Sequence, residues 1–524
     1  MGITNLNRPA FWRVPEYSLS AHHLRIPRNI GLFVFTSRLG EVMNNSSPQA
    51  IATGAVTSAL SQMPDVMELA QLFNSAGFEF AIVGGPVRDL ILNREINDLD
   101  FTTNAKPEQI LNLVTPWADT VWDIGIAFGT IGARRKDFQV EITTYRSEIY
   151  NEESRKPEVT FGTSLDDDLI RRDFTINAMA VRLPELTFVD PFGGVDDLSK
   201  RVIRTPREPE LSFSDDPLRM MRAARFASQL GFTPVVDVLL AATEMSERIK
   251  IVSAERVRDE FSKLIMGAQP TLGLEILEGT KLAEHVIPEL PALQLEIDEH
   301  HKHKDVYEHS LIVLQQAIDL ETSHEPKCEP DLVLRLAALL HDIGKPKTRR
   351  FESGGGVSFH HHEVVGAKIA RKRLTAMRYP GDVIDSVCKL TELHLRFHGY
   401  GQGQWTDSAV RRYVRDAGEE LNRLHKLTRA DCTTRNPRRA AILSATYDDL
   451  EERIATLAQQ EELNSIRPDL DGNDIMEILN VPSGPMIGKA YNHLLNVRLD
   501  EGPLTREQAI ERLTVWWNAQ SKND

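Results

Sequence analysis

The stretch from Phe80 to Thr103 restricts the fold more than any other part of the chain. Phe80-Ala81-Ile82-Val83 is a short apolar run of strand type that ends on Gly84-Gly85. A helical pattern follows with Pro86 in its first turn, and a second strand carries Asp98 and Asp100. Strand, glycine turn, helix and strand in this order imply a mixed α/β layer. A glycine pair at that point lets backbone N–H groups come close to a phosphate, at the positive end of a helix. Side chains alternate along a strand, so Asp98 and Asp100 share one face while Leu99 takes the other. Two carboxylates opposite a phosphate cradle make a hard-oxygen site for magnesium and a nucleoside triphosphate. Each piece alone also reads as a plain Gly-Gly turn or a solvated acidic strand end. Their combination at this spacing favours the site.

A chain of 524 residues is too long for one core. Its 41% hydrophobic and 26% charged content is that of an ordinary soluble protein. Three cysteines, Cys328, Cys388 and Cys432, give no disulfide framework and fit a reducing cytoplasm. No stretch reaches the roughly 20 apolar residues needed to span a bilayer, so no membrane partner is expected. The formal net charge of −15 argues against general coating of nucleic acid, and no DNA partner is expected. A local basic surface for RNA remains compatible with it.

Residues 1–52 have no convincing period and read as a disordered extension, with Met43 an alternative start. A helix is predicted from Pro64 to Ser75 on Val66, Leu69, Leu72 and Phe73. Strands are predicted at Thr130 to Ala133 and Phe138 to Thr144, the second bearing Glu141 as a candidate third carboxylate. A salt-bridged surface glutamate is the equal alternative. Residues 147–168 are polar and acid-rich and read mostly as a mobile loop. Arg171-Arg172 precede the apolar run Phe174 to Ala180, read as a helix, where cations oppose the dipole and so suggest an anion partner such as a triphosphate.

Ser214-Asp215-Asp216-Pro217 opens a helix containing Arg219, Arg222 and Arg225, with Ser214 or Asp215 as its cap. Arginines three apart occupy one sector of a helix, with Asp216 bordering it. Together they supply acceptors and forked donors able to read the pairing edge of a base. A solvated basic face is the other reading. A further helix at Ala254 to Glu260 is expected to buttress the first through Val257, Phe261 and Leu264.

The stretches Gly84-Gly85-Pro86-Val87-Arg88-Asp89, Asp98-Leu99-Asp100, Arg171-Arg172-Asp173 and Asp216-Pro217-Leu218-Arg219 resemble, in order, the motifs of the class II tRNA nucleotidyltransferases. That bacterial family includes CCA-adding enzymes, A-adding enzymes and poly(A) polymerases. Asp215 departs from the glutamate usual before the templating aspartate. The resemblance implies that Gly85 and Arg88 contact the incoming nucleotide, that Asp98 and Asp100 hold two magnesium ions, and that Arg172 binds the triphosphate. It makes Asp216 and Arg219 a protein template for C or A, with Arg222 and Arg225 completing the pocket. The implied partners are tRNA, CTP and ATP. The implied architecture is multidomain α+β: a nucleotidyltransferase-type mixed α/β head at 53–195, an all-α neck at 196–292, an HD-domain at 293–445 and a C-terminal helical, tRNA-binding body at 446–524.

From residue 296 histidine accumulates. A lone His-Asp pair is more often structural, but His309, His341-Asp342, His362, His394 and Asp431, spread over successive helices, can close a metal site. The set resembles the HD-domain metal phosphohydrolases, most closely in His341-Asp342-Ile343-Gly344-Lys345-Pro346. That implies a divalent transition metal and a phosphohydrolase activity, or else an HD fold kept as an RNA-binding scaffold. His300, His301 and His303 read as surface residues. A locally basic set including Arg411, Arg412, Arg415, Arg435, Arg438 and Arg439 is the candidate tRNA backbone contact. The leading expectation is CCA addition to tRNA. Poly(A) or A-only addition, an HD-type nucleotide phosphohydrolase and a catalytically silent RNA-binding protein are the alternatives.

Overall fold

The computed structural model describes residues 47–96, 99–123, 125–126, 129–136, 138–146, 162, 164–294, 306–353, 356–397, 400, 405–434, 436–461 and 467–520. The predicted sequence of elements around Gly84-Gly85 is present. β1 (Phe80–Val83) leads into the helix Gly85–Ile91, and β2 (Leu99–Thr103) follows. With β3 (Thr120–Trp122), β4 (Thr130–Arg135), β5 (Phe138–Thr144), β6 (Ala180–Leu183) and β7 (Thr187–Val189) they form a seven-stranded sheet in the order β3-β4-β5-β2-β1-β6-β7. β2 and β5 run parallel and their neighbours antiparallel.

β1 is buried on both faces, which explains its unbroken apolar run. Phe80 stacks between Phe73 and Phe101, with ring centroids 4.4 and 4.7 Å away. Ala81 and Val83 face the other way, onto Tyr145, Leu165 and Leu169. The Pro64–Ser75 helix buries Val66, Leu69 and Phe73 as its period requires. Below the sheet the chain is helical. Leu218–Leu230 packs against Ala254–Ile265, which turns Phe261 and Leu264 into the core. Helices Val306–Ser323, Leu332–Leu340, His362–Ala376, Gly381–Leu393 and Leu421–Ala430 then surround one interior. The last three helices close a small core of their own on Leu470, Ile475, Leu494 and Leu513. The mixed α/β head followed by helical structure agrees with the fold class expected from sequence. Among the described residues, no helix is long and apolar enough to cross a membrane.

Four local expectations need correction. The extension expected to run to residue 52 gives way by Pro48 to a helix, Pro48–Ser61, which buries Ala52, Val56 and Leu60; residues 1–46 lie outside the described residues. Part of the loop expected at 147–168 is the helix Leu165–Ile170, capped by Ser164; residues 147–161 and 163 lie outside the described residues. Arg171 and Arg172 therefore follow a helix rather than begin one, so its dipole favours them. The apolar run after them becomes a single 3₁₀ turn and strand β6 because it pairs with β1. Ser214 and Asp215 end the preceding helix Pro209–Asp215, and Asp216 instead accepts from Leu218 N at 3.1 Å. Thr505 and Gln508 form a reciprocal cap at the start of the last helix.

One buried ion pair joins the helices after residue 306 to those before it. Arg335, with a side chain only 4% exposed, meets Glu321 (3% exposed) through two bonds of 2.8 and 2.7 Å. Its remaining donor reaches the carbonyls of Ile265 and Gly267 at 3.0 Å each. Removing one partner leaves a bare buried charge, so Glu321→Ala should lower stability in urea unfolding by about 3–5 kcal/mol. The double change Glu321→Leu with Arg335→Met should recover much of that loss; a loss equal to the sum of the single changes would refute the coupling.

Candidate functional sites

The first site lies where β1 ends and β2 begins, beside the middle of β5. Gly84 has φ 77°, and a Cβ there would come within 2.7 Å of Arg172 Nη1. A side chain at this position would occupy the space between the turn and the guanidinium, so glycine keeps it open. The helix that follows is short, so any anion bound here would rely on the Arg172 charge as well as on the helix dipole. Arg172 is positioned by Asp168 at 3.1 Å. Asp100 stands directly beside Glu141 in the parallel pairing of β2 and β5, so the two carboxylates rise from adjacent strands on the same face. Oxygen donors so placed suit a hard cation. Asp98 lies outside the described residues. Arg88 does not point freely into the site: it pairs with Asp89 and donates to Asn177 Oδ1 at 2.7 Å.

The arginine helix is tied to this turn. Arg219 Nη2 donates to the carbonyl of Arg171 at 2.5 Å, and its Nη1 to Ser212 Oγ at 2.9 Å. Arg222 is bound to Asp173 through Nε at 2.8 Å and lies 3.6 Å from Glu260. Arg225 pairs with Glu260 at 2.6 Å. Phe226 lies beneath the guanidinium groups of Arg88, Arg222 and Arg225, at 5.2, 5.6 and 4.1 Å. Burial lowers Arg225 to about 10, with the like charge of Arg222 adding to the effect. Asp216 turns its second oxygen to Arg256 at 2.7 Å. Asp215 is engaged with Arg207.

Sequence reading named the arginines but gave no role to Asp173, Asn177, Arg256 or Glu260. An adjacent acid and a buttressing helix were visible; their pairing across the fold was not. Burial opposes the Asp173 carboxylate, but Arg222 and Asn177 hold its pKa well below the ordinary carboxyl range.

The second site gathers all six residues expected for it. His309, His341 and Asp431 place one ligand atom each within 4.8 Å of one another, as do Asp342, His362 and His394. Asp342 touches both sets, at 3.5 Å from His309, 3.2 Å from His341 and 3.1 Å from His362. His341, His394 and Asp431 each cap the C-terminal end of a helix, where the dipole favours a cation. The Nδ1 atoms of His341, His362 and His394 meet the carbonyls of Ala338, Phe359 and Thr391 at 2.8, 2.8 and 2.7 Å. A carbonyl can only accept, so each of the three rings donates from Nδ1 and turns its Nε2 inward. Nε2 of His362 and of His394 is buried without a hydrogen-bond partner among the described residues. Four imidazoles and two carboxylates fit a divalent transition metal better than magnesium. Burial opposes charge on His341, but Asp342 and Asp431 raise it to about 10, whereas burial and the neighbouring His341 lower His394 to about 3. His300, His301 and His303 lie outside the described residues.

Residues 80–204 match the family described as "Poly A polymerase head domain", 231–293 "Probable RNA and SrmB- binding site of polymerase A", and 306–436 "HD domain". An A-adding tRNA nucleotidyltransferase of Deinococcus radiodurans is 35% identical over 342 residues, which is 64% of this chain and 75% of that protein. The chain belongs to the tRNA nucleotidyltransferase and poly(A) polymerase family. A CCA-adding enzyme of Lactobacillus helveticus is 43% identical over 230 residues, 43% of this chain; the chain thus spans 56% of that relative's length. The crystal structure of the Bacillus stearothermophilus CCA-adding enzyme in complex with CTP superposes with a TM-score of 0.64 at 25% identity, covering 88% of this chain and 99% of that one.

Within this family member, the basic set expected to meet tRNA divides. Arg411 is buried and donates to Leu499 O at 3.1 Å, so it joins two helices instead of offering surface charge. Arg412 pairs with Asp500 at 2.6 Å, and Arg415 with Asp416 at 2.8 Å. Arg438 and Arg439 are exposed at the start of the Pro437–Glu461 helix; Arg435 lies outside the described residues.

The depressed pKa of Asp173 has a consequence for stability. Its charged pair contributes fully above the ordinary carboxyl value of about 4, and that contribution is lost as pH falls toward the depressed folded value. Unfolding free energy below about pH 4 should therefore fall less steeply in Asp173→Asn than in the parent. Equal slopes in urea titrations would show that Asp173 is not the carboxylate responsible.

Proposed function

We propose that the chain adds C and A residues to the 3′ end of tRNA from CTP and ATP, without a nucleic acid template. The observation that carries this reading is the bond from Arg219 to the Arg171 carbonyl. It fixes the helix that can read a base to the turn whose next residue can grip a triphosphate, so one nucleotide can satisfy both. Arg172 and the Gly84-Gly85 backbone would orient the phosphates. Asp216 would accept from the base edge and Arg219 would donate to it, with Arg256 holding Asp216 in place.

Asp98 and Asp100 would hold two magnesium ions, with Glu141 close enough to assist. When bound, such ions acidify the primer 3′-hydroxyl and stabilise the departing pyrophosphate. The protein then needs no side-chain base for this step. Its own contribution is to align the hydroxyl with the α-phosphorus and hold the chosen base.

A second activity is favoured by one separate observation: the inward Nε2 atoms of His362 and His394, buried and unsatisfied beside Asp342. We infer that this cluster binds a transition metal and hydrolyses phosphate esters of nucleotides or RNA 3′ ends.

Incubating the full chain with tRNA ending at the discriminator base, and CTP and ATP singly and together, separates the family's possible products. Complete ends should require both nucleotides; unlimited A tracts would indicate poly(A) synthesis, and ATP use alone an A-adding enzyme. Asp100→Ala should slow addition on the order of a thousandfold. Manganese-dependent ester hydrolysis should persist in that variant, since Asp100 belongs only to the first site. Loss of both activities would sink the two-site reading.

A further inference from the structure

Between Asp342 and His362 the chain leaves the metal cluster and returns to it. The excursion consists of the helical turn Lys345–Thr348 and a hairpin in which Arg350 pairs with Ser358 and Phe351 with Val357. Both feet are fastened to ligands. Lys345 Nζ is 2.5 Å from Asp342 Oδ2 and lies 5.7 Å from the centre of the Phe359 ring. The Phe359 carbonyl is the one that orients His362. Gly344 packs so closely on the His362 backbone that any side chain there would collide with it. The hairpin is therefore held at the edge of the cluster.

Its surface carries an exposed ring and a run of cations. Phe351 is 73% exposed, with the Arg349 guanidinium 4.7 Å from its ring centre. Lys345, Lys347, Arg349 and Arg350 fall within six positions without an acid among them, in a chain of net charge −15. Lys347 and Arg350 are exposed. An exposed ring beside a guanidinium, on a segment that also exposes Lys347 and Arg350, is complementary to a base joined to a phosphate, the ring taking the π-face and the cations the charge.

We propose that this hairpin is the lip of the cluster and admits a nucleoside phosphate ester, with Phe351 stacking on the base and Lys347 and Arg350 holding the phosphate charge. The proposal rests on the ester-hydrolysis reading for what happens next. Water forms the new P–O bond as the bond to the ribose oxygen breaks; one proton goes to the freed ribose hydroxyl and the other to the phosphate product or solvent. The lip explains how a buried cluster selects a nucleotide: the base is read outside it.

The test uses the full chain in two independent readouts. In Phe351→Trp, measured without metal, the added tryptophan emission should be quenched by AMP and not by ribose 5-phosphate. With manganese bound, Phe351→Ala should lower the ratio of kcat/KM for adenosine 2′,3′-cyclic phosphate over that for ribose 5-phosphate about tenfold, mainly through KM. Arg350→Ala should raise KM for both esters. An RNA tetramer ending in a 2′,3′-cyclic phosphate, assayed beside the free nucleotide, identifies the source by the lower KM. Absence of quenching together with an unchanged ratio would overturn the lip. Quenching by AMP without hydrolysis of any ester under manganese, nickel or magnesium would overturn the hydrolysis reading while upholding the lip as a nucleotide-binding site.

Discussion

The carboxylate of Asp173 is the point on which the first site depends. It is buried at the end of the turn that carries Arg171 and Arg172, and it binds Arg222 from the helix below the sheet. Arg222 also approaches Glu260, and Glu260 in turn binds Arg225. The alternation of acid and base lets four charged groups share an interior that would reject any one of them alone. Asn177 adds a bond to Asp173 and another to Arg88, so the same network reaches the first turn after Gly85. Three segments far apart in the chain are thereby held in one register. Arg219, one turn before Arg222 on the same helix, inherits its position from this anchor.

The parallel pairing of β2 with β5 does comparable work for the acidic side of the site. In a sheet whose other neighbours are antiparallel, this pair sets Asp100 level with Glu141. A register shift of one residue would turn one of them to the opposite face. Val140, Ile142, Leu99 and Phe101 are buried, and their burial is what fixes the register. The two carboxylates are thus positioned by the apolar residues between them.

Much of this was legible in the sequence, for reasons that differ from residue to residue. Gly84-Gly85 and the alternation of Leu99 with Asp100 are local patterns whose geometry follows from two or three torsions. The histidine cluster was legible because imidazole and carboxylate at helix ends have few other uses in such density, although their convergence needed the fold. Phe174 to Ala180 misled because a short apolar run fits a buried helix or strand equally, and only pairing with β1 decides it. Arg411 misled for another reason: an arginine on an amphipathic helix looks like surface charge until a second helix covers it. Glu260 and Arg256 had no local signal, because their meaning lies in partners 35 and 40 positions away.

The two candidate cation sites differ in how deeply their side chains are buried. At the sheet, Asp100 is only half-buried and Glu141 is exposed, so water can remain on a bound ion and a large substrate can approach. Magnesium keeps several of its waters, and such an open rim suits it. In the helical cluster, His341, Asp342 and His394 are almost wholly buried, and backbone carbonyls fix the rings. That cluster trades access for rigidity, so recognition of anything larger than a phosphate must occur outside it. Its surroundings match that need, since the chain between Asp342 and His362 places cations and an exposed ring at its edge. The placement of polar readers therefore follows from how deeply each set of ligands is buried. On the functions proposed for them, the open site would read the base with a separate helix, and the closed one with the segment that joins Asp342 to His362.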